Sequence, residues 1–322
     1  MRHTPKITRT LARILLVPAL LACGPAQAPA ASPPVPSQDV LRLFEYDASA
    51  PLDVKIDSTE QKEGLTIQNL TYASPKGGRV SATLIVPDGP GPFAGILLMH
   101  GAPGTRDVTL PEATTLAKRG AVTLSIDAPF ARGERRGNPR EMIHFDERDR
   151  DDQVQLAVDW RRGVDLLLAR KDVDPKRLAY VGRSYGGAQG GLLAGVEKRI
   201  KAYALVVGDG GLVAHFTGAE DQPRLGGQVP EEQWKRWLAL MEPVEPINFV
   251  GRAAPAHLLF QNGRADEAVS ADSGRAYQEA GSEPKTILWY DAGHRLNDQA
   301  TKDRHDWLAK EIGLKPEKKA EG

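Results

Sequence analysis

Short apolar runs alternate with segments of helical period along most of this chain, and that alternation restricts it to an α/β architecture. Phe93-Ala-Gly-Ile-Leu-Leu-Met99 and Ala121-Val-Thr-Leu-Ser-Ile126 are nearly unbroken apolar runs, the pattern of strands covered on both faces. Residues 80–86, 178–181, 202–207, 257–261 and 286–290 read as further strands. Helices are expected near 110–119, 151–170, 185–196, 271–280 and 298–311; in the second, Ala157, Trp160, Val164, Leu167 and Leu168 recur at helical spacing. The pattern predicts a mostly parallel central sheet with helices on both faces, and any site at the C-terminal ends of its strands.

The core must hold this fold without covalent help. Cys23 is the single cysteine of 322 residues, so no internal disulfide forms, and no cysteine cluster has zinc spacing. Lys and Arg (42) balance Asp and Glu (42), which removes any long-range electrostatic reason to bind nucleic acid or an anionic membrane. At the N-terminus Arg2, Lys6, Arg9 and Arg13 precede an apolar run at 14–21. A bilayer span takes about 20 residues, so this run suits a signal peptide instead. Two processing signals compete: Ala26-Gln27-Ala28 for ordinary cleavage, and a lipobox-like Leu20-Leu-Ala-Cys23 that would put a lipid anchor on Cys23. Residues 1–23 therefore read as a signal peptide, 24–45 as a Pro- and Ala-rich linker, 46–314 as one domain, and 315–322 as a polar tail. The expected location is outside the cytoplasm: periplasmic, membrane-anchored through Cys23, or secreted.

The chemistry is carried by Gly182-Arg183-Ser184-Tyr185-Gly186-Gly187, a G-x-S-x-G turn between a short apolar strand and a Gly- and Ala-rich helix. Small residues on either side let strand and helix approach closely, so the Ser184 hydroxyl projects clear of the sheet. A serine hydroxyl needs an adjacent base. Of the seven histidines, His294 in Asp291-Ala-Gly-His294 directly follows the last expected strand, where it can swing toward Ser184. His257 falls inside a strand, and His305 on the last helix. The base needs a carboxylate partner; Asp266 is the expected one, with Asp209 and Glu267 as rivals. The order Ser184, Asp266, His294 is that of a strand–turn–helix nucleophile fold. An oxyanion would be met by the N–H of Tyr185 and by that of Ala102 in Met99-His-Gly-Ala-Pro-Gly104; Pro103 has no N–H to donate. His100 reads as a support for that loop.

Together these residues resemble the α/β-hydrolase superfamily, in its dienelactone-hydrolase and prolyl-oligopeptidase-like branch. The longest matching stretch runs from 157 to 187, through helix, Val173-Asp-Pro175 turn, strand and elbow, and the likeness extends over about 60–312. It implies the α/β-hydrolase fold, a Ser–His–Asp hydrolase, and neither metal nor organic cofactor. Ser184 stands where dienelactone hydrolase proper carries cysteine. The space before the first expected strand is too short for the propeller of peptide-cutting relatives. Both departures favour a serine esterase acting on a small-molecule ester. A peptidase or amidase with the same triad is the alternative, and a non-catalytic binding protein on this fold a third reading. Two insertions, near 128–150 and 208–252, follow strand ends. The first is rich in charge (Arg132, Arg135, Arg136, Arg140) and reads as a solvated loop or a substrate rim. In the second, Trp234 and Trp237 fall at helical spacing, as expected of a small cap. Phe130, Phe216, Trp234 and Trp237 are the expected substrate contacts.

Overall fold

The computed structural model describes residues 1, 35–136, 138, 141–213 and 229–316. The signal and lipidation readings, with Cys23, lie outside the described residues, as do Arg140, Phe216 and most of the polar tail. The described residues from 35 onward belong to one compact unit.

Among the described residues, nine strands build one sheet: β1 (Lys55–Lys62), β2 (Leu65–Ala73), β3 (Arg79–Pro87), β4 (Phe93–Met99), β5 (Ala121–Ile126), β6 (Val173–Arg183), β7 (Ala202–Val206), β8 (His257–Gly263) and β9 (Lys285–Tyr290). Their order is β1-β2-β3-β5-β4-β6-β7-β8-β9. The first three run antiparallel to their neighbours, and the rest are parallel. The central strand β4 explains the unbroken apolar runs. Leu97 and Met99 face one core layer, Ala94, Ile96 and Leu98 the other, and all seven residues of the strand are buried. Burying one large apolar side chain contributes about 1.5–3 kcal/mol, so a two-faced strand anchors the sheet.

Helices α2 (Leu110–Lys118) and α8 (Asp298–Ile312) cover one face through Ala113, Leu116, Trp307, Leu308 and Ile312. Helices α3 (Glu147–Leu168), α4 (Tyr185–Val196) and α7 (Ala271–Ala280) cover the other through Trp160, Leu192 and Tyr277. Both expectations of the pattern, a mostly parallel sheet and helices on its two faces, hold.

Two departures lie at the N-terminal side. The expected linker does not reach residue 45: Ser37 caps a short helix, α1 (Gln38–Arg42), and Phe44 is buried against Phe249 with ring centroids 5.4 Å apart. The hairpin β1–β2 was also not expected. Every residue of β1 is exposed, so it carries no burial pattern, and only its pairing with β2 makes it a strand.

The second insertion holds α5 (Glu231–Met241) and α6 (Ile247–Val250). Trp237 is buried, and its indole N–H donates to Asp149 Oδ2 at 2.7 Å. Asp149 also accepts the backbone N–H groups of His144 and Phe145, so one carboxylate ties the cap helix to the first insertion. Burial pushes the Asp149 carboxyl above its usual range, and these three donors oppose the shift.

Candidate active site

The end of β6 and the start of α4 place the nucleophile. Ser184 sits at φ 55° and ψ −119°, a left-handed conformation that only its surroundings can impose on a residue with a side chain. A Cβ on Gly182 would lie 2.1 Å from Gly186 O, and one on Gly186 would lie 2.7 Å from Met99 O. Strand, turn and helix therefore close to a distance that only glycine permits at both positions. The Ser184 N–H donates to Val206 O at 2.8 Å, fixing the turn against β7.

Three groups far apart in the chain meet above this turn. His294 Nε2 lies 2.9 Å from Ser184 Oγ, and His294 Nδ1 lies 2.9 Å from each oxygen of Asp266. A carboxylate only accepts, so Nδ1 carries the proton and Nε2 is left to receive the serine hydroxyl. Asp266 Oδ1 accepts the N–H groups of Ala268 and Val269 at 2.8 and 2.9 Å, and its side chain is 1% exposed. The carboxylate is thus oriented by its own loop. Glu267 accepts the His294 backbone N–H at 3.3 Å, and the charge of Asp209 acts on Glu245, so neither rival takes the place of Asp266 at His294 Nδ1.

Arg183 takes a part that no motif announces. Its guanidinium donates to His294 O at 2.6 Å and Arg295 O at 3.0 Å. The residue before the nucleophile thereby fastens the loop that carries the base. Position two of G-x-S-x-G is free by pattern, so sequence reasoning passes over it.

The loop after β4 crosses directly above Ser184: a Cβ on Gly101 would lie 3.1 Å from Ser184 Cβ. Gly104 N–H donates to Gly101 O at 2.8 Å, closing the turn, and the Ala102 N–H has no acceptor among the described residues. The N–H of Tyr185 belongs to the first turn of α4, beside the serine. His100 supports the loop as expected. Its Nδ1 donates to Gly101 O at 2.9 Å, and its Nε2 accepts the Ala128 N–H at 3.1 Å. Burial pushes this imidazole below its usual pKa, consistent with a neutral ring.

A cleft of about 770 Å³ opens at Ser184 and His294, between α2 and α8. None of Phe130, Trp234 and Trp237 lines it, which corrects that expectation. Phe130 is buried beneath the site, its ring edge-on to His100 and Tyr185 at 6.0 and 5.5 Å. Trp234 packs on Trp237 and Phe145 in the cap–body contact. An aromatic stripe reports apolar burial, and here the body rather than a ligand supplies it. The cleft is lined instead by Gly101, Ala102, Val108, Glu112, Arg183, Arg295 and Arg304, among others. Burial alone would raise the Glu112 carboxyl, but the Arg304 charge and the His305 ring override it and hold it at about 2. No group of three or more metal-ligating side chains occurs among the described residues.

No protein-family model matches the chain. The uncharacterized protein YfhR of Escherichia coli, in strain K12 and in O157:H7, is 23% identical over 242 residues, covering 74% of this chain and 76% of that protein. Among solved structures, the acetyl xylan esterase of Paenibacillus sp. R4 superposes with a TM-score of 0.68 at 19% identity, over 85% of this chain and 92% of that one. Acetyl xylan esterase 1 of Thermoanaerobacterium sp. JW/SL YS485 gives 0.66 at 15%, over 86% and 94%. The alpha/beta hydrolase GrgF of Penicillium sp. sh18 gives 0.58 at 18%, over 77% and 99%. These superpositions, over most of this chain, show that it has an α/β-hydrolase fold.

Proposed function

We propose that the chain is an exported serine hydrolase that cleaves carboxylic esters through an acyl-enzyme. The observation that carries this reading is the relay Ser184–His294–Asp266, with both hydrogen bonds at 2.9 Å. His294 Nε2 takes the Ser184 proton as Oγ adds to the ester carbonyl. Negative charge then develops on the former carbonyl oxygen, where the N–H groups of Ala102 and Tyr185 can meet it; losing one such donor costs about 2.7–4 kcal/mol. His294 returns the proton to the leaving alcohol, the C–O bond breaks, and an acyl group stays on Ser184. Water, deprotonated by the same imidazole, releases the acid and restores the serine. Asp266 holds the ring in the required tautomer and faces the imidazolium that forms.

The solved neighbours described as esterases support an ester as substrate. Export rests on the basic and apolar pattern of residues 2–28. The test is labelling by a fluorophosphonate probe, followed by turnover of matched ester and aminoacyl-amide substrates. The wild-type chain labels at Ser184 and cleaves the esters faster, and Ser184→Ala does neither. A folded wild type that neither labels nor cleaves any activated ester contradicts the reading, and an amide preference moves it to the amidase class.

A further inference from the structure

The loop that carries Ala102 leaves the end of β4 and reaches α2 through one turn of 3-10 helix, Arg106–Thr109. Both of its ends are tied to one place, the exit of β5. At the near end His100 Nε2 accepts the Ala128 N–H at 3.1 Å. At the far end the Asp127 carboxylate accepts the Arg106 backbone N–H on Oδ1 at 2.8 Å and the Arg106 guanidinium on Oδ2. Arg106 Nε also donates to Thr83 Oγ1 on β3 at 3.0 Å, so the guanidinium is held from two strands. The Asp127 side chain is fully buried, and its backbone is fixed in turn. Its N–H donates to Ser81 O at 3.1 Å, and its carbonyl accepts Arg132 Nε at 2.8 Å. Residues 101–105 therefore hang between two fixed points, with Gly101 packed closely on Ser184.

We infer that Asp127 and Arg106 are positioning residues, whose contact sets where the Ala102 N–H stands over Ser184. The inference rests on the esterase reading above and extends it to residues outside the relay and the oxyanion loop. An oxyanion donor acts on a charge that exists only during reaction, so a small misalignment weakens it without touching the relay. The loop has glycine at 101 and 104 and belongs to no helix or strand, so its ends govern its geometry. Asp127 binds Arg106 twice, once through the main chain and once through the side chain, which fixes both the place and the rotation of that residue. Arg136, in the first insertion, shares the carboxylate: its Nη1 donates to Asp127 Oδ2 at 2.8 Å, and its Nη2 reaches Asp107 beyond the loop. It therefore adds charge to the cluster without holding Arg106.

The test compares Arg106→Gln, Arg106→Lys, Asp127→Asn and Arg136→Gln with the wild type. Each rate is divided by the concentration of sites that a fluorophosphonate labels at end point, which removes any loss of folded protein. Two quantities are read: kcat/KM for p-nitrophenyl acetate, and the Ki of phenyl trifluoromethyl ketone. In the ketone adduct Ser184 Oγ bonds to the carbonyl carbon, the C=O π electrons move onto oxygen, and the hydroxyl proton passes to His294. The adduct oxygen then occupies the oxyanion position. In Arg106→Gln and Asp127→Asn, kcat/KM per site falls about ten- to hundredfold and Ki rises by the same factor. Arg106→Lys recovers part of both. The acid limb of the kcat/KM profile keeps its midpoint, because His294 and Asp266 are untouched. Arg136→Gln stays within about twofold of wild type in both quantities, its ion pair being partly solvated. Variants with fewer labelled sites but wild-type rate and Ki per site overturn the inference, since Asp127 would then serve only the fold. Equal losses from Arg106→Gln and Arg136→Gln overturn it too, as does a fall in kcat/KM with Ki unchanged; all three leave the esterase reading intact. A folded wild type with neither ester turnover nor Ser184 labelling removes the esterase reading, and the inference with it.

Discussion

At the scale of single residues, catalysis depends on which side of a hydrogen bond each atom occupies. Asp266 accepts from His294 Nδ1 and from two backbone N–H groups. Asp266→Asn keeps the shape but offers Nδ1 an amide, and the ring loses the tautomer in which Nε2 can receive a proton. Ester kcat is expected to fall by roughly 10³–10⁴ with little change in thermal midpoint, measured by steady-state turnover and calorimetry on the same preparation. Arg183 acts at one remove, through the carbonyls of His294 and Arg295. Arg183→Met is expected to lower kcat about ten- to hundredfold by loosening the base loop, with Arg183→Lys retaining part of the rate. Equal kcat in all three proteins would show that the loop needs no such fastening. The triad was legible in the string because each member stands at a strand end with its own local signature: a glycine elbow, a glycine before the histidine, an aspartate in the loop after β8. Arg183 was not legible, because its two acceptors are backbone atoms more than a hundred positions away.

Elements were legible where burial leaves a one-dimensional trace. Strands β4 and β5 are buried along their whole length and read as apolar runs. Strand β1 (Lys-Ile-Asp-Ser-Thr-Glu-Gln-Lys) is polar but for Ile56 and exposed throughout, so nothing in its order distinguishes it from a loop. The cap helix α5 showed the opposite ambiguity. Its aromatic spacing announces a buried face without saying whether ligand or protein covers it, and the Trp237–Asp149 hydrogen bond settles that it is protein. The elbow makes a sharper prediction for packing. Gly186→Ala would press a methyl group to 2.7 Å from Met99 O and 2.9 Å from His100 O. Crowding of this kind costs about 1–3 kcal/mol, and since the strain falls on the loop above Ser184, activity is expected to fall with stability. Urea unfolding and ester turnover measured in parallel check this; an unchanged midpoint would mean that the β4 loop yields freely.

For the molecule as a whole, stability should carry a pH signature from its buried carboxyls. Burial pushes Glu245 from its ordinary 4.5 up to about 8, against the opposing N–H bonds of Val213 and Leu212 and with the charge of Asp209 adding to the rise. The folded state therefore holds this proton where the unfolded chain has lost it, and stability falls as pH rises from the ordinary carboxyl range through about 8. Asp149 and Asp159, both raised chiefly by burial, contribute in the same direction. Glu245→Gln is expected to flatten the decline between pH 5 and about 8. An identical slope in the variant would place the titrating group elsewhere. The central claim remains covalent: an ester's acyl group passes through Ser184 on its way to water. Rapid quenching of the enzyme with p-nitrophenyl acetate, followed by peptide mass analysis, tests it most directly. The account predicts a burst of p-nitrophenol matching the enzyme concentration and one acetyl group on Ser184, absent from Ser184→Ala. An acetyl group mapped to another residue, or ester turnover surviving unchanged in Ser184→Ala, would contradict it.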